Sequence, residues 1–230
     1  MSFELTLAEL QQLGTAQNVK TYRRHGAGEN VYGVSFANLK LMKKRIKFDQ
    51  ELAVQLWATG NTDACTLALM IADPQQLTVK LAEAWLKDMT YCALTCYLAE
   101  LVSKSSHSTK LMLKWMSSKK EIVRVTGYAI LSTVLRDDPA SLTDEFCAEQ
   151  LTRIEAEIHG SANSARHAMS MAICAIGIWK PALKETAIET ARRIGHVEVD
   201  HGDTCCKTPA AADYIVKATS RETPSKRKRC

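Results

Sequence analysis

The sequence predicts an all-α protein assembled from stacked helix pairs. Apolar residues recur at three- and four-residue spacing almost from end to end. No stretch alternates apolar and polar residues for long enough to argue a strand. Cap residues, glycines and prolines punctuate the pattern and leave connections of about two to five residues, the length that joins antiparallel neighbours.

The first helix is predicted over 4–13, with Leu5, Leu7, Leu10 and Leu13 inward and Gly14 stopping it. A second runs through Val19 and Tyr22 to His25, and 26–30 reads as a loop. A third covers 36–47. Phe36, Leu39, Met42 and Ile46 face one way there, and Lys40, Lys43, Lys44, Arg45 and Lys47 the other. Asp49 is a good N-cap for a fourth helix, whose stripe is Leu52, Ala53, Leu56 and Trp57. Gly60 ends it, and Asn61 starts the next, through Leu67, Met70 and Ile71 to Asp73-Pro74. The pattern continues over 78–88, 90–104, 108–117, 120–136, 141–159, 162–179 and 181–194. A polar segment, 197–209, then breaks it, and Thr208-Pro209 reads as the N-cap and first residue of a last helix through Ala212, Tyr214 and Ile215.

Helix pairs at a spacing of roughly 30–45 residues, without strict repetition, have the texture of degenerate HEAT-type units. No such pair buries its stripe alone, so neighbours stack into a helical-repeat superhelix, an α-solenoid. One HEAT-like domain is expected over 1–219, followed by a basic, disordered tail over 220–230. The tail holds five bases and one acid, so residues 1–219 carry only +1 of the total +5. That excludes a globally basic, histone-like protein; basic surface on the body must be local. The tail itself reads as added nonspecific DNA affinity, an address signal or a solubilising end.

Eight cysteines without a CxxC pair, and no secretory leader, point to a reducing compartment. Cys92, Cys147 and Cys174 sit within apolar helical patterns and read as buried thiols. A cytoplasmic protein is expected, nucleoid-associated in a bacterium. No run reaches the ~18 apolar residues of a membrane span. The chain carries no GxGxxG, P-loop, GxSxG or HExxH, so no cofactor, nucleotide or metal is expected.

Two features carry candidate chemistry. The first is a set of basic clusters: Lys43 and Lys44 with their neighbours; Lys114, Lys119, Lys120 and Arg124 around a helix start; and Arg166 and His167 opening another helix. Helix starts present unpaired N–H groups and a favourable dipole, so bases beside them form phosphate sites. Repeated along a scaffold, such sites follow a nucleic-acid backbone. The bland alternative for each cluster is a solvated helix face. The second is the segment 199–209, with Asp200, His201, Asp203, Cys205, Cys206 and Lys207. It reads as a structural loop, as an acid/base site built on Asp200, His201 and Asp203, or as a metal-dependent hydrolytic site, although its spacing matches no standard zinc pattern. Trp57 and Trp115 fall on apolar stripes and read as core, whereas Trp179, at a helix end, is a candidate for exposure.

Local words then line up. His25-Gly26 through Tyr32-Gly33-Val34, Glu51-Leu52-Ala53 through Gly60, and Ile71 through Pro74 resemble the DNA alkylation repair family of HEAT-like proteins. So do Val123 through Ala129, Ala165 through Ser170, Val199 through Gly202, and Cys206 through Pro209. The resemblance covers most of 20–217. It implies a helical solenoid whose concave face cradles duplex DNA, and in characterised members the release of N3- or N7-alkylated purines by cleavage of the N-glycosidic bond. A carboxylate flanked by aromatic rings would stabilise the positive charge developing on the sugar.

This sequence departs from that pattern. Where active relatives carry an aromatic residue and, four positions on, an acid, it has Tyr91 and then Thr95 or Cys96. The later aromatic position falls near Met171, and the basic one at Val125 beside Arg124. Either the acid comes from Asp88, Asp200 or Asp203, or DNA is bound without base release. The reading is therefore a monomeric DNA-binding protein of this family. Its partner is double-stranded DNA, damaged or branched, and its phosphate contacts are Lys43, Lys44, Lys119, Lys120, Arg124, Arg166 and Lys207. DNA glycosylase activity stays open, as does a non-catalytic scaffold for DNA structures or protein.

Overall fold

The computed structural model describes residues 2–220. They form thirteen α-helices: α1 (Phe3–Leu13), α2 (Ala16–Arg24), α3 (Phe36–Ile46), α4 (Gln50–Ala58), α5 (Thr62–Ile71), α6 (Val79–Asp88), α7 (Leu94–Ser103), α8 (Ser108–Met116), α9 (Glu121–Asp137), α10 (Asp144–Glu157), α11 (Asn163–Trp179), α12 (Lys184–Ile194) and α13 (Ala211–Thr219). No strand occurs among the described residues; one isolated bridge pairs Gly14 with Val34. The fold is the all-α, HEAT-like repeat class that the pattern predicts. The basic tail from residue 221 on lies outside the described residues.

Side-chain oxygens set most of the early helix starts. Ser2, Thr15, Ser35, Asp49, Asn61 and Thr78 each accept an N–H from the first turn of the helix that follows. The expected caps at Asp49 and Asn61 are both in place. Gly60 takes a positive φ of 61° where α4 ends.

The chain divides into two compact units, one holding residues up to Ile130 with Gly202–Cys205, the other Leu131–His201 with the chain from Cys206 on. In the first, α5 is the centre: all ten of its residues are buried, and α1, α3, α4 and α7 pack around it. Trp57 and Trp85 stack at 4.9 Å between ring centroids, worth about 0.5–1.5 kcal/mol beyond the area they bury. In the second unit, α11 is the centre, with α10, α12 and α13 against it. A Cβ on Gly177 would lie 2.7 Å from Ile215, so glycine is what lets α11 and α13 approach. Lys180, only 9% exposed, donates to the carbonyls of Pro139 (3.0 Å) and Leu142 (2.6 Å) and pairs with Asp144 at 2.8 Å.

Four expectations need correction. Leu5 is 66% exposed and Thr6 is buried in its place. The Thr6 hydroxyl donates to the Ser2 carbonyl at 2.8 Å, so it goes inside with its polar group satisfied. The helix expected from 90 begins at Leu94, because Tyr91–Ala93 form a turn whose carbonyls at Tyr91 and Cys92 accept from Leu94 and Thr95. Cys92 is therefore exposed on that turn, whereas Cys147 and Cys174 are buried as expected. The last helix starts at Ala211 rather than Pro209, since the Thr208 hydroxyl is engaged by two imidazoles and caps nothing.

Candidate nucleic-acid interface

On α3 the bases point as the pattern requires. Lys40 and Lys44 are exposed and Lys43 half-buried, while Leu39 and Met42 are buried on the opposite side. Arg45 is drawn into an ion pair with Glu9. At the start of α9, Lys119 and Lys120 are exposed immediately before Glu121. The Lys120 N–H donates to the Ser118 hydroxyl (3.1 Å), and its carbonyl accepts the Arg124 N–H (3.0 Å). Both lysines thus stand at the positive end of a 17-residue helix, with Arg124 one turn in and half-buried. Lys114 is held by Glu83 at 2.5 Å. Lys43, Lys44, Lys119, Lys120 and Arg124 all belong to the first unit.

Arg166 and Lys207 belong to the second unit. Lys207 is exposed. Arg166 spends its guanidinium on carbonyls, those of Ser161 at 2.8 Å and Glu198 at 3.3 Å, and so fastens the 196–210 segment to the start of α11. Asn163 does the same. Its amide accepts the Asp200 N–H at 2.7 Å and donates to the Asp200 carbonyl at 2.6 Å. His167 Nδ1 and His201 Nε2 lie 2.8 and 3.0 Å from the Thr208 hydroxyl, with the rings perpendicular and 5.4 Å apart. Burial, then the neighbouring His201, holds His167 below the ordinary imidazole range. Asp203 is exposed and falls in the other unit from Asp200 and His201. No cluster of three metal-ligating side chains occurs among the described residues.

The positions where the resemblance implies catalytic groups are built differently. Tyr91 is buried, and Thr95, 2% exposed, donates its hydroxyl to the Cys92 carbonyl at 2.6 Å. Val125 is buried and Met171 half-buried. Beside Tyr91 is a cavity of about 290 Å³, with Trp57, Cys65 and Leu94 on its walls and Asp88 contributing a carboxylate. Trp179 is 41% exposed, as its place at a helix end suggested, and Trp57 and Trp115 are core. Lys104 escapes a reading of charge runs because it stands alone in the sequence, and Phe48 because it carries no charge.

Fold and surface together define a HEAT-like helical-repeat protein with bases gathered at helix faces and helix starts. The family model for "DNA alkylation repair enzyme" matches residues 6–213, and the chain belongs to that family. It is similar to the uncharacterized protein Lin0241 of Listeria innocua, 32% identical over 96% of this chain and 99% of the relative. Lmo0209 of Listeria monocytogenes is 31% identical over the same shares. A solved structure, described as a new family of proteins related to the HEAT-like repeat DNA glycosylases with affinity for branched DNA structures, superposes with a TM-score of 0.89. It is 29% identical and covers 96% of this chain and 95% of its own. No helix among the described residues is long and apolar enough to cross a membrane.

Proposed function

We propose that this protein binds DNA by its structure, duplex and branched, and does not cleave the N-glycosidic bond. The observation that carries the reading is Thr95. Of the two places where the resemblance puts a carboxylate, Thr95 is a buried hydroxyl already committed to a backbone carbonyl, and Cys96 is a thiol. Neither group supplies a fixed negative charge to a developing oxocarbenium ion. The exposed bases of α3 and of the α9 start support polyanion binding, with Lys43, Lys44, Lys119, Lys120 and Arg124 as phosphate contacts. The similar solved structure, with its affinity for branched DNA, supports the choice of ligand.

Mobility shift on duplex and junction oligonucleotides across a salt series tests binding. Substituting Lys119, Lys120 and Arg124 together by Ala weakens it and flattens the slope of log K against log salt by about 3. No binding at low salt would refute the proposal. Asp88, beside Tyr91 in the 290 Å³ cavity, favours a second reading in which that carboxylate replaces the missing acid. Release of alkylated purines from methylated duplex, abolished by Asp88→Asn, would establish it; no release by the native chain leaves structure binding as the activity.

A further inference from the structure

The first unit holds a second cavity, about 460 Å³, walled by α3, α5 and α7, within the usual range of roughly 300–1,000 Å³ for ligand sites. Phe36, Phe48 and Tyr97 give it aromatic walls; Lys40, Lys43 and Lys104 stand around it against one acid, Glu100. None of the three lysines is in an ion pair among the described residues, whereas Arg45, also on α3, is paired with Glu9. The excess of positive charge selects an anionic ligand. The aromatic walls select one with a flat face.

Phe48 is the informative residue. It is 61% exposed, a large apolar ring left in water. The residue before it, Lys47, has a φ of 67°, the one positive value outside glycine among the described residues. That conformation costs on the order of 1 kcal/mol or more and persists only where its surroundings fix it. Here they do. The Lys47 N–H donates to the Lys43 carbonyl at 2.7 Å, closing α3. The Asp49 N–H donates to the Ile71 carbonyl at 2.9 Å, and the Asp49 carboxylate caps α4. Phe48 is carried on a backbone pinned on both sides. Phe36 already lies against Tyr22 (5.5 Å) and Tyr97 (5.9 Å), so it is a floor, and Phe48 is the ring with a face to offer.

We propose that this cavity takes one unpaired nucleotide of branched DNA, its base stacked on Phe48 and its flanking phosphates held by Lys40, Lys43 and Lys104. The inference rests on the DNA-binding reading above and gives it a means of preferring branches. In a duplex every base face is covered by its neighbours, so only an unpaired base brings a bare π-face to the ring. Stacking tolerates any base, which fits recognition of shape rather than sequence.

The test uses the full chain and a flap or junction oligonucleotide carrying 2-aminopurine at the unpaired position, beside a duplex with the same probe paired. The native protein changes the fluorescence of the unpaired probe and binds the branched oligonucleotide about tenfold more tightly than the duplex. Phe48→Ala removes both the signal and the preference, and leaves duplex affinity in place; Phe48→Trp restores them. Lys40→Ala with Lys104→Ala lowers the salt slope on branched DNA by about 1.4, with a smaller change on duplex. A Phe48→Ala variant that keeps signal and preference, or weakens both substrates equally, overturns the subsite while leaving DNA binding intact. A native chain that binds neither oligonucleotide overturns the subsite and the DNA-binding reading together.

Discussion

Two irregular polar segments, 26–34 before α3 and 196–210 before α13, are fastened by different chemistry. The first turns on one buried carboxylate, with Asn18, Tyr22 and Asn30 adding side-chain hydrogen bonds. Asp63, 1% exposed in the first turn of α5, accepts N–H groups from Tyr32 (2.7 Å), Gly33 (3.0 Å) and Val34 (2.9 Å). Gly33 has a φ of 81°, and a Cβ there would lie 2.5 Å from the Thr15 carbonyl oxygen, so no other residue fits. The second segment is held by a row of neutral or half-exposed contacts from one face of α11: Asn163 to Asp200, Arg166 to Glu198, His167 to Thr208. A buried ion with three donors is all-or-none. A seam of separate contacts loosens one at a time, and part of it titrates.

The contrast is open to measurement. Asp63→Asn keeps the shape but loses the charge and sets an amide N–H against a backbone donor. Urea unfolding should show a loss of about 3 kcal/mol with the m-value unchanged. Thr208→Val removes the hydroxyl between the two imidazoles and should cost about 1–2 kcal/mol. Hydrogen exchange should then speed up within 197–208, and the amides of 32–34 should keep their protection. Asn163→Ala should cost about 1 kcal/mol and expose the same stretch. An Asn163→Ala cost as large as that of Asp63→Asn would show the seam to be cooperative and erase the distinction.

The smallest effect is acid lability. His167 titrates below its unfolded value near 6.5, so between the two values the unfolded chain binds more protons. Stability from this group is full above about pH 6.5 and falls as pH drops from there through the folded value. Thermal melts from pH 8 to 5 should show the decline, and His167→Gln should remove it. Segment 26–34 carries no imidazole, so its exchange protection should be flat over that range.

Much of the fold can be read from residue order, and the exceptions share a cause. Asp49, Asn61 and Gly60 work as local punctuation, since caps and left-handed turns depend on near neighbours alone. Thr208-Pro209 has the same local form and fails as a cap, because His167, 41 residues earlier, competes for the hydroxyl. Leu5 fails for a similar reason: amphipathic periodicity locates a face only to within a residue, and packing chose Thr6. Of the candidate interface, the lysines clustered in sequence were visible. The cavity that joins Phe48 to Lys104 was not, because its walls come from three helices.

Sequence by itself determined the helical class, most helix starts, the placement of bases at α3 and before α9, and the absence of an acid at both Thr95 and Cys96. These depend on periodicity, local capping and residue identity. Tertiary structure alone decided that Arg166 and Asn163 serve as struts for the 196–210 segment. It also placed Gly127 where α9 meets α8, so close that a Cβ there would lie 2.3 Å from the Met116 nitrogen. And it alone turned Phe48 outward on a strained, pinned backbone. Each of these depends on which distant atoms arrive beside a side chain, and no local pattern carries that information.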